Sequence, residues 1–385
     1  MSFPLEIPEP LRKALPPGTG VLLGISGGVD SALALAVLQE LGCDVQCVTF
    51  KNFCYSEEDI DPGEQSCCSL DAIEDARRLA RRFGATHWVH GVEAPFRERV
   101  IDPFIRDYSA ALTPNPCLAC NADVRFPEFV RLARRQGCRF AATGHYARLD
   151  HSVPGGRLLK GLDPGKDQSY FLHAVSSSLF DELIFPLGWW NKTEVRRAAA
   201  ELGIEVAGKR DSQEICFVPD GDRTFLFGDD QATRPGEIVD RQGKVRGTHK
   251  GLVHYTVGQR RGLGIAAPEP LYVLSLNLEK SQLLVGLREE LATNGVLADG
   301  FVPAVPNFPS EGPLPGKPVH ARLRHRHQGA LVKSWILADD GNLRVELDES
   351  VDGAAPGQGL VLYQDDLVLG GGRIIGSFHW ESGSS

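Results

Sequence analysis

The 385-residue sequence predicts an α/β protein: a parallel-sheet domain, then a small linking domain, then a C-terminal antiparallel β-barrel. Three observations carry this reading. Up to residue 218, short apolar runs alternate with longer helix-like stretches, the pattern of strands joined by helical crossovers. Residues 219–288 are rich in glycine and basic side chains. Residues 289–385 change to short apolar runs punctuated by Gly, Pro, Asp and Asn, as in a small barrel. The expected domains are therefore 1–218, 219–288 and 289–385.

In the first domain, Gly20–Ile25, Asp44–Thr49, Thr86–Gly91 and Arg139–Thr143 read as strands. Ala32–Leu38 has the composition of a helix closed by Gly42, while Leu70–Phe83 and Phe126–Gln136 read as charged helices. Ligands of such sheets sit beyond the carboxyl ends of the strands. Ser26–Ser31, Phe50-Lys51-Asn52 and Thr143-Gly144-His145 all fall there, which points to one nucleotide site. In the last domain, Val319–Leu323, Leu331–Leu337, Leu343–Leu347, Leu360–Tyr363 and Arg373–Phe378 read as strands, and Phe301–Pro318 as a Pro-rich connection.

The hexapeptide Ser26-Gly27-Gly28-Val29-Asp30-Ser31 follows the first strand and opens a helix. A strand, a small-residue loop and a helix N-terminus make an anion cradle, because unpaired backbone N–H groups and the positive dipole end meet at one point. The loop lacks the lysine of G-x-x-x-x-G-K-[ST]. Its SGGxDS form resembles the PP-loop of ATP pyrophosphatases, which hold pyrophosphate and cleave ATP to AMP.

No apolar stretch reaches the length of a membrane span, and the N-terminal residues lack a secretory or transit pattern, so a cytoplasmic enzyme is expected. Nine cysteines, irregularly spaced in a long chain, suit a reducing compartment and suggest metal or catalytic roles more than a disulfide framework. The net charge of −9 argues against a nucleic-acid partner, but its distribution does not. Arg241–Pro268 and Gly312–Ala338 contain no acidic residue, and Arg131–Arg139 carries four arginines. Local basic surface is enough to track a phosphate backbone.

Cys117-Leu118-Ala119-Cys120 could bind zinc, bind an iron–sulfur cluster or form a redox disulfide. It lies in TPNPCLACN, and Cys216 lies in DSQEICFVP. Together with SGGVDS, ATGHYAR, GKDQSYFL, FPLG, GLVHYTVGQRRGLGI and PGQGLVLYQDDLVLGGGRI, these motifs resemble, in order and over nearly the whole chain, the bacterial tRNA-specific 2-thiouridylases of the MnmA type. That family joins a PP-loop domain, a linking domain and a translation-factor-type barrel. It replaces the C2 oxygen of the wobble uridine, position 34 of tRNA, with sulfur.

The resemblance implies that Gly24, Ile25, Ser26, Gly27, Gly28, Val29, Asp30 and Ser31 bind ATP with Mg2+, with Phe50 and Gly144 lining the adenosine site. It implies that Asn115, Pro116 and Cys117 meet the target base. Lys166, Asp167 and Gln168 would approach the tRNA, and His145, Arg324, His325 and Gln358 hold further tRNA-contact positions. Where this chain has His325, many relatives have tyrosine.

Catalysis would fall to Cys216, carrying a persulfide delivered by an upstream sulfur-carrier or cysteine desulfurase protein, and to Cys120. Many relatives have Asp at the position of Cys117. A subset carries the CxxC found here, so Cys117, Cys120 and Cys216 could instead hold a [4Fe–4S] cluster with one open iron. An amidating PP-loop synthetase and a non-catalytic tRNA-binding protein are the rival functions. Cys43, Cys47 and Cys138 read as buried thiols and Trp189-Trp190 as packing residues, whereas Cys54, Cys67 and Cys68 have no assigned chemistry.

Overall fold

The computed structural model describes residues 3–53, 70–204, 215–218, 223–313 and 318–380. Cys54, Cys67 and Cys68 lie outside the described residues, as does the start of the DSQEICFVP motif. The chain forms two compact units. The first comprises residues 1–100, 117–221 and 366–368; the second comprises 101–116, 222–365 and 369–385.

The first unit is built on five parallel strands in the order β3-β2-β1-β4-β7. These are β1 (Gly20–Gly24), β2 (Asp44–Lys51), β3 (Thr86–Gly91), β4 (Phe140–Ala142) and β7 (Leu183–Ile184). Between β4 and β7 stands a hairpin of β5 (Ala147–Asp150) and β6 (Arg157–Lys160), which the sequence reading did not anticipate. Its strands are four residues each, too short for an alternating pattern to stand out.

Helix α1 (Val29–Glu40) is buried along almost its whole length, because Ala, Leu and Val occupy every face. Helices α2 (Leu70–Arg82), α3 (Phe126–Arg135) and α4 (Lys192–Glu201) bury one stripe and expose charge on the other. The expected strands and helices of this unit are therefore present, with end shifts of one to three residues.

The second unit holds two sheets. Four strands, β8 (Gly236–Val239), β9 (Val245–His249), β10 (Tyr272–Asn277) and β11 (Gln282–Gly286), pair in the order β10-β11-β8-β9 around a core of Ile238, Leu252, Tyr255, Val273, Leu283 and Val285. Six further strands run from β12 (Ala292–Pro303) through β13 (Val319–Arg322), β14 (Ala330–Leu337), β15 (Leu343–Asp352) and β16 (Gly359–Gln364) to β17 (Leu367–Phe378). They pair antiparallel, and β12 pairs with both β15 and β17, so the sheet closes on itself and leaves no free edge. The expected connection Phe301–Pro318 begins inside β12, a strand of twelve residues. Among the described residues, no helix is long and apolar enough to cross a membrane.

Candidate active site

A cavity of about 330 Å³ opens at the carboxyl ends of β1, β2 and β4. Gly24, Ile25, Ser26, Asp30 and Ser31 line it, with Phe50 from β2 and Thr143, Gly144 and His145 after β4. The three loops expected to converge do so.

The backbone leaving β1 is fixed on two sides. The Ile25 N–H donates to the Val48 carbonyl at 2.9 Å, and the Ile25 carbonyl accepts from Thr49 Oγ1 at 2.7 Å. Gly27 then turns at φ +72°, where a Cβ would stand 2.8 Å from the Ala72 carbonyl oxygen, so only glycine fits. Gly28 is the N-cap of α1, and no side chain caps the helix. The first-turn amides therefore keep their capacity to bind an anion. Ser31 closes the loop: its Oγ donates to the Gly28 carbonyl at 3.1 Å and accepts from the Ser26 N–H at 3.2 Å. Gly144 passes close over this turn, and a Cβ there would lie 3.0 Å from the Asp30 carbonyl carbon. Gly27 is packed against the Ala72–Ala76 backbone at the back of the turn.

Asp30 is the sole carboxylate among the cavity-lining residues described. Lys192 Nζ donates to both of its oxygens at 2.7 Å, and the Tyr146 hydroxyl donates to Oδ1 at 2.8 Å. Phe50 is held edge-on by His90 and Phe129, with ring centroids 5.8 and 5.4 Å away. Gln168 lines the same cavity and accepts from the Tyr146 N–H at 2.8 Å.

His145 also belongs to this cavity. Its Nδ1 meets Thr143 Oγ1 at 2.7 Å, and its ring packs between Phe126 and Phe185. Burial, with a smaller push from the Arg125 guanidinium, lowers its pKa to about 3, so the ring is neutral at working pH.

Asp167 is buried. Its side chain is 2% exposed and accepts from the Gly161 N–H, the Ser169 N–H and Ser169 Oγ, each at 3.0 Å. A carboxylate bonded in this way stabilises the Lys166–Ser169 turn. Lys166 beside it is half-buried.

Of the sulfur-chemistry candidates, Cys117 is exposed, Cys120 buried and Cys216 half-buried. Cys120 opens a π-helical segment, Cys120–Arg125. Asn121 ties that segment to the Gln168–Phe171 motif through the Phe171 carbonyl at 2.9 Å, and Arg125 at its far end reaches the nucleotide cavity. Cys216 is anchored by Phe217, which packs edge-on against Phe96 at 5.8 Å. Among the described residues no three His, Cys, Asp or Glu side chains are grouped to hold a metal. A cluster seat of Cys117, Cys120 and Cys216, one of the two expectations, is not shown among the described residues.

Of the three thiols expected to be buried, Cys47 and Cys138 are, and Cys43 is half-buried. Burial raises the pKa of Cys43 to about 11, of Cys47 to about 12 and, with help from Asp44, of Cys138 to about 11.

In the second unit, Arg324 is exposed and donates to the Asp352 carbonyl at 3.0 Å, with His325 half-buried beside it in the β13–β14 turn. Asn115 is half-buried and Pro116 buried. The Gln358 Nε2 donates to the Thr113 carbonyl at 2.7 Å. Two of the three basic runs are less basic than their sequence implied. Arg131 pairs with Glu128, Arg134 with Glu182 at 2.5 Å, Arg241 with Glu290 at 2.5 Å and Arg246 with Asp240 at 2.7 Å. Acids outside the runs supply these partners.

Three family models cover most of the chain: the tRNA methyl transferase HUP domain over residues 19–220, the tRNA methyl transferase PRC-barrel domain over 224–287, and the aminomethyltransferase beta-barrel domain over 304–374. Full-length relatives are more specific. The tRNA-specific 2-thiouridylase MnmA of Geotalea uraniireducens is 41% identical over 359 residues, which is 92% of this chain and 94% of that protein. That of Geobacter metallireducens is 42% identical over 92% of this chain and 96% of its own, and that of Paramagnetospirillum magneticum 42% over 97% and 98%.

The chain belongs to the tRNA-specific 2-thiouridylase family.

In this thiouridylase family member, the sequence reading missed Lys192, Tyr146 and Arg125. A signal for Lys192 existed. It is the first residue of α4, directly after the Asn191 cap, where a cation opposes the helix dipole. Such a lysine needs a carboxylate partner, and Asp30 is that partner. Arg125 follows Cys120 by five residues, and only the π-helical geometry reveals that it faces the nucleotide cavity.

Proposed function

We propose that this chain catalyses ATP-dependent 2-thiolation of uridine 34 of tRNA, releasing AMP and pyrophosphate. The observation that carries the reading is the SGGVDS cradle at the mouth of a cavity of about 330 Å³, in a chain 41% identical to a thiouridylase over 92% of its length. ATP would lie with its phosphates on the Ser26–Ser31 turn and its base toward Phe50. Magnesium would enter with the triphosphate and find Asp30 as its protein carboxylate, supplying charge neutralisation there.

The uridine C2 oxygen attacks the α-phosphorus and expels pyrophosphate, which converts a poor leaving group into AMP. The base must leave its stack to reach the site, with Asn115, Pro116 and Cys117 meeting it. Sulfur reaches Cys216 as a persulfide from a partner carrier protein or cysteine desulfurase. The Cys120 thiolate attacks the Cys216 sulfur and expels hydrosulfide, leaving a Cys120–Cys216 disulfide. Hydrosulfide adds at C2 and AMP departs; a cellular dithiol reduces the disulfide for the next turnover.

We assign domain roles as 1–218 for ATP and sulfur chemistry, 219–288 as the linking domain and 289–385 as the barrel that grips tRNA through Arg324 and His325. A reducing cytoplasmic setting suits the thiol chemistry.

The test is direct. Purified protein, ATP, a persulfide donor and unmodified tRNA are incubated, and the digested RNA is analysed for 2-thiouridine by mass spectrometry. Thiolated nucleoside with one AMP per sulfur supports the reading. AMP without thiolation favours an amidating synthetase, and neither product favours a binding protein.

A further inference from the structure

Residues 101–116 lie in sequence between parts of the first unit, yet they belong to the second. Their anchoring explains why. The helix Asp102–Ser109 is held by Asp107, which lies 3.5 Å from the Arg373 guanidinium, and by Ser109 Oγ, which donates to Asp230 at 2.6 Å. Beyond the helix the chain reverses at Ala111, in the left-handed region at φ +57°, and the Leu112 N–H returns to the Asp107 carbonyl at 2.9 Å.

Thr113, 8% exposed, is then clamped by the Pro356-Gly357-Gln358 turn of the barrel. Its N–H donates to the Pro356 carbonyl at 2.8 Å, and its carbonyl accepts from Gln358 Nε2 at 2.7 Å. Gly357 sits between at φ +95°, where a Cβ would lie 2.8 Å from the Thr113 carbonyl carbon and 2.9 Å from its nitrogen. The turn is itself fixed. The Gly357 N–H donates to the Ile374 carbonyl at 2.8 Å, and the Ile374 N–H donates to the Gln358 carbonyl at 2.7 Å.

The chain beyond Thr113 is stiff. Pro114 and Pro116 have fixed φ, and each restricts the residue before it to extended conformations. Little torsional freedom separates the clamp from Asn115, so a displacement at Thr113 is passed on to it.

We infer that Gln358 is a positioning residue that sets the segment Thr113–Pro116 for the target base. The inference rests on the proposed thiolation of uridine, and it separates two behaviours. A tRNA-gripping residue contributes to affinity; a positioning residue contributes to the rate once tRNA is bound.

The experiment compares full-length wild type with Gln358→Ala and Gln358→Glu, both of which remove the donor to Thr113. Three readouts are taken: tRNA dissociation constant, thiolation rate at saturating tRNA, and hydrogen exchange of the peptide spanning residues 110–116. The expected result is a saturated rate reduced on the order of tenfold or more, a dissociation constant within about twofold of wild type, and faster exchange at Leu112, Thr113 and Asn115. A dissociation constant weakened about tenfold with the saturated rate and the exchange unchanged overturns the inference. Gly357→Ala, checked for folding by its melting curve, should repeat the rate defect through the steric route. Should wild type form no 2-thiouridine, the functional reading fails, while the exchange readout still decides whether Gln358 holds the segment.

Discussion

Lys192 and Asp30, 162 residues apart in sequence, form a paired contact in which the ammonium lies 2.7 Å from each carboxylate oxygen. The lysine side chain is 10% exposed and the aspartate 32%, so the pair is shielded from solvent but faces the cavity. Tyr146 completes the arrangement from the third side. Replacing Lys192 by Ala should therefore damage the nucleotide loop itself. Removing the partner of a partly buried charge costs about 1–3 kcal/mol. The adenylation step should lose on the order of 100-fold, as when one preorganised charge-stabilising group is removed. Pyrophosphate release on adding ATP and tRNA reads this out; a Lys192→Ala enzyme with unchanged pyrophosphate release would show the pair to be incidental.

Gly27→Ala tests the shape of the loop. A left-handed non-glycine residue costs about 1–2 kcal/mol before the contact with the Ala72 carbonyl is counted. ATP affinity measured by calorimetry should fall about tenfold or more, since the amides that face the phosphates would shift with the turn. Affinity for tRNA should hold.

Two buried histidines set the acid limit of the first unit. His145 is pushed down to about 3 and His173 to about 4 from the ordinary 6.5, both chiefly by burial. The unfolded chain therefore binds the extra protons. Stability is complete above pH 6.5 and is lost as pH falls from there toward 4 and then 3, by up to about 1.4 kcal/mol per pH unit for each histidine. Melting temperatures between about pH 7.5 and 5 should fall accordingly, and His173→Phe should flatten the slope. An unchanged slope in that variant would place the acid sensitivity elsewhere.

Arg125 joins the two halves of the site. Its guanidinium faces the cavity and lowers the His145 pKa. Arg125→Gln should slow AMP formation about tenfold, as for a charge-assisted contact with phosphate. It should also move the His145 titration upward, toward 6.5, a change that proton NMR of the imidazole can follow separately from activity.

The thiols should differ sharply in reactivity. At about pH 8, a limited pulse of iodoacetamide followed by peptide mapping should label exposed Cys117 well before Cys47, which is fully buried and raised to about 12. Comparable labelling of both would mean that the sheet opens readily.

Much of the site was legible in sequence because its parts are local. Ser26–Ser31 declares a turn and a helix start within six residues, and Thr143-Gly144-His145 ends a strand; both lie where a parallel sheet puts them. The long-range partners were not legible. Asp30 and Lys192 meet only because α4 packs against α1. The barrel strands were found as short apolar runs between turn residues, whereas β5 and β6, of four residues each, were too short to stand out. The ion pairs that quiet Arg134 and Arg241 are likewise non-local, so a run of like charge in sequence overstated the basic surface.

Burial acts on Cys43, Cys47 and Cys138 as a chemist's protecting group would. A sulfane sulfur moves between thiolates by exchange, and any reactive bystander would drain it. Held protonated, these three would neither accept a sulfane sulfur nor scramble it in the proposed transfer. In the proposed reaction, the same core packing that stabilises the first unit would give sulfur delivery its fidelity.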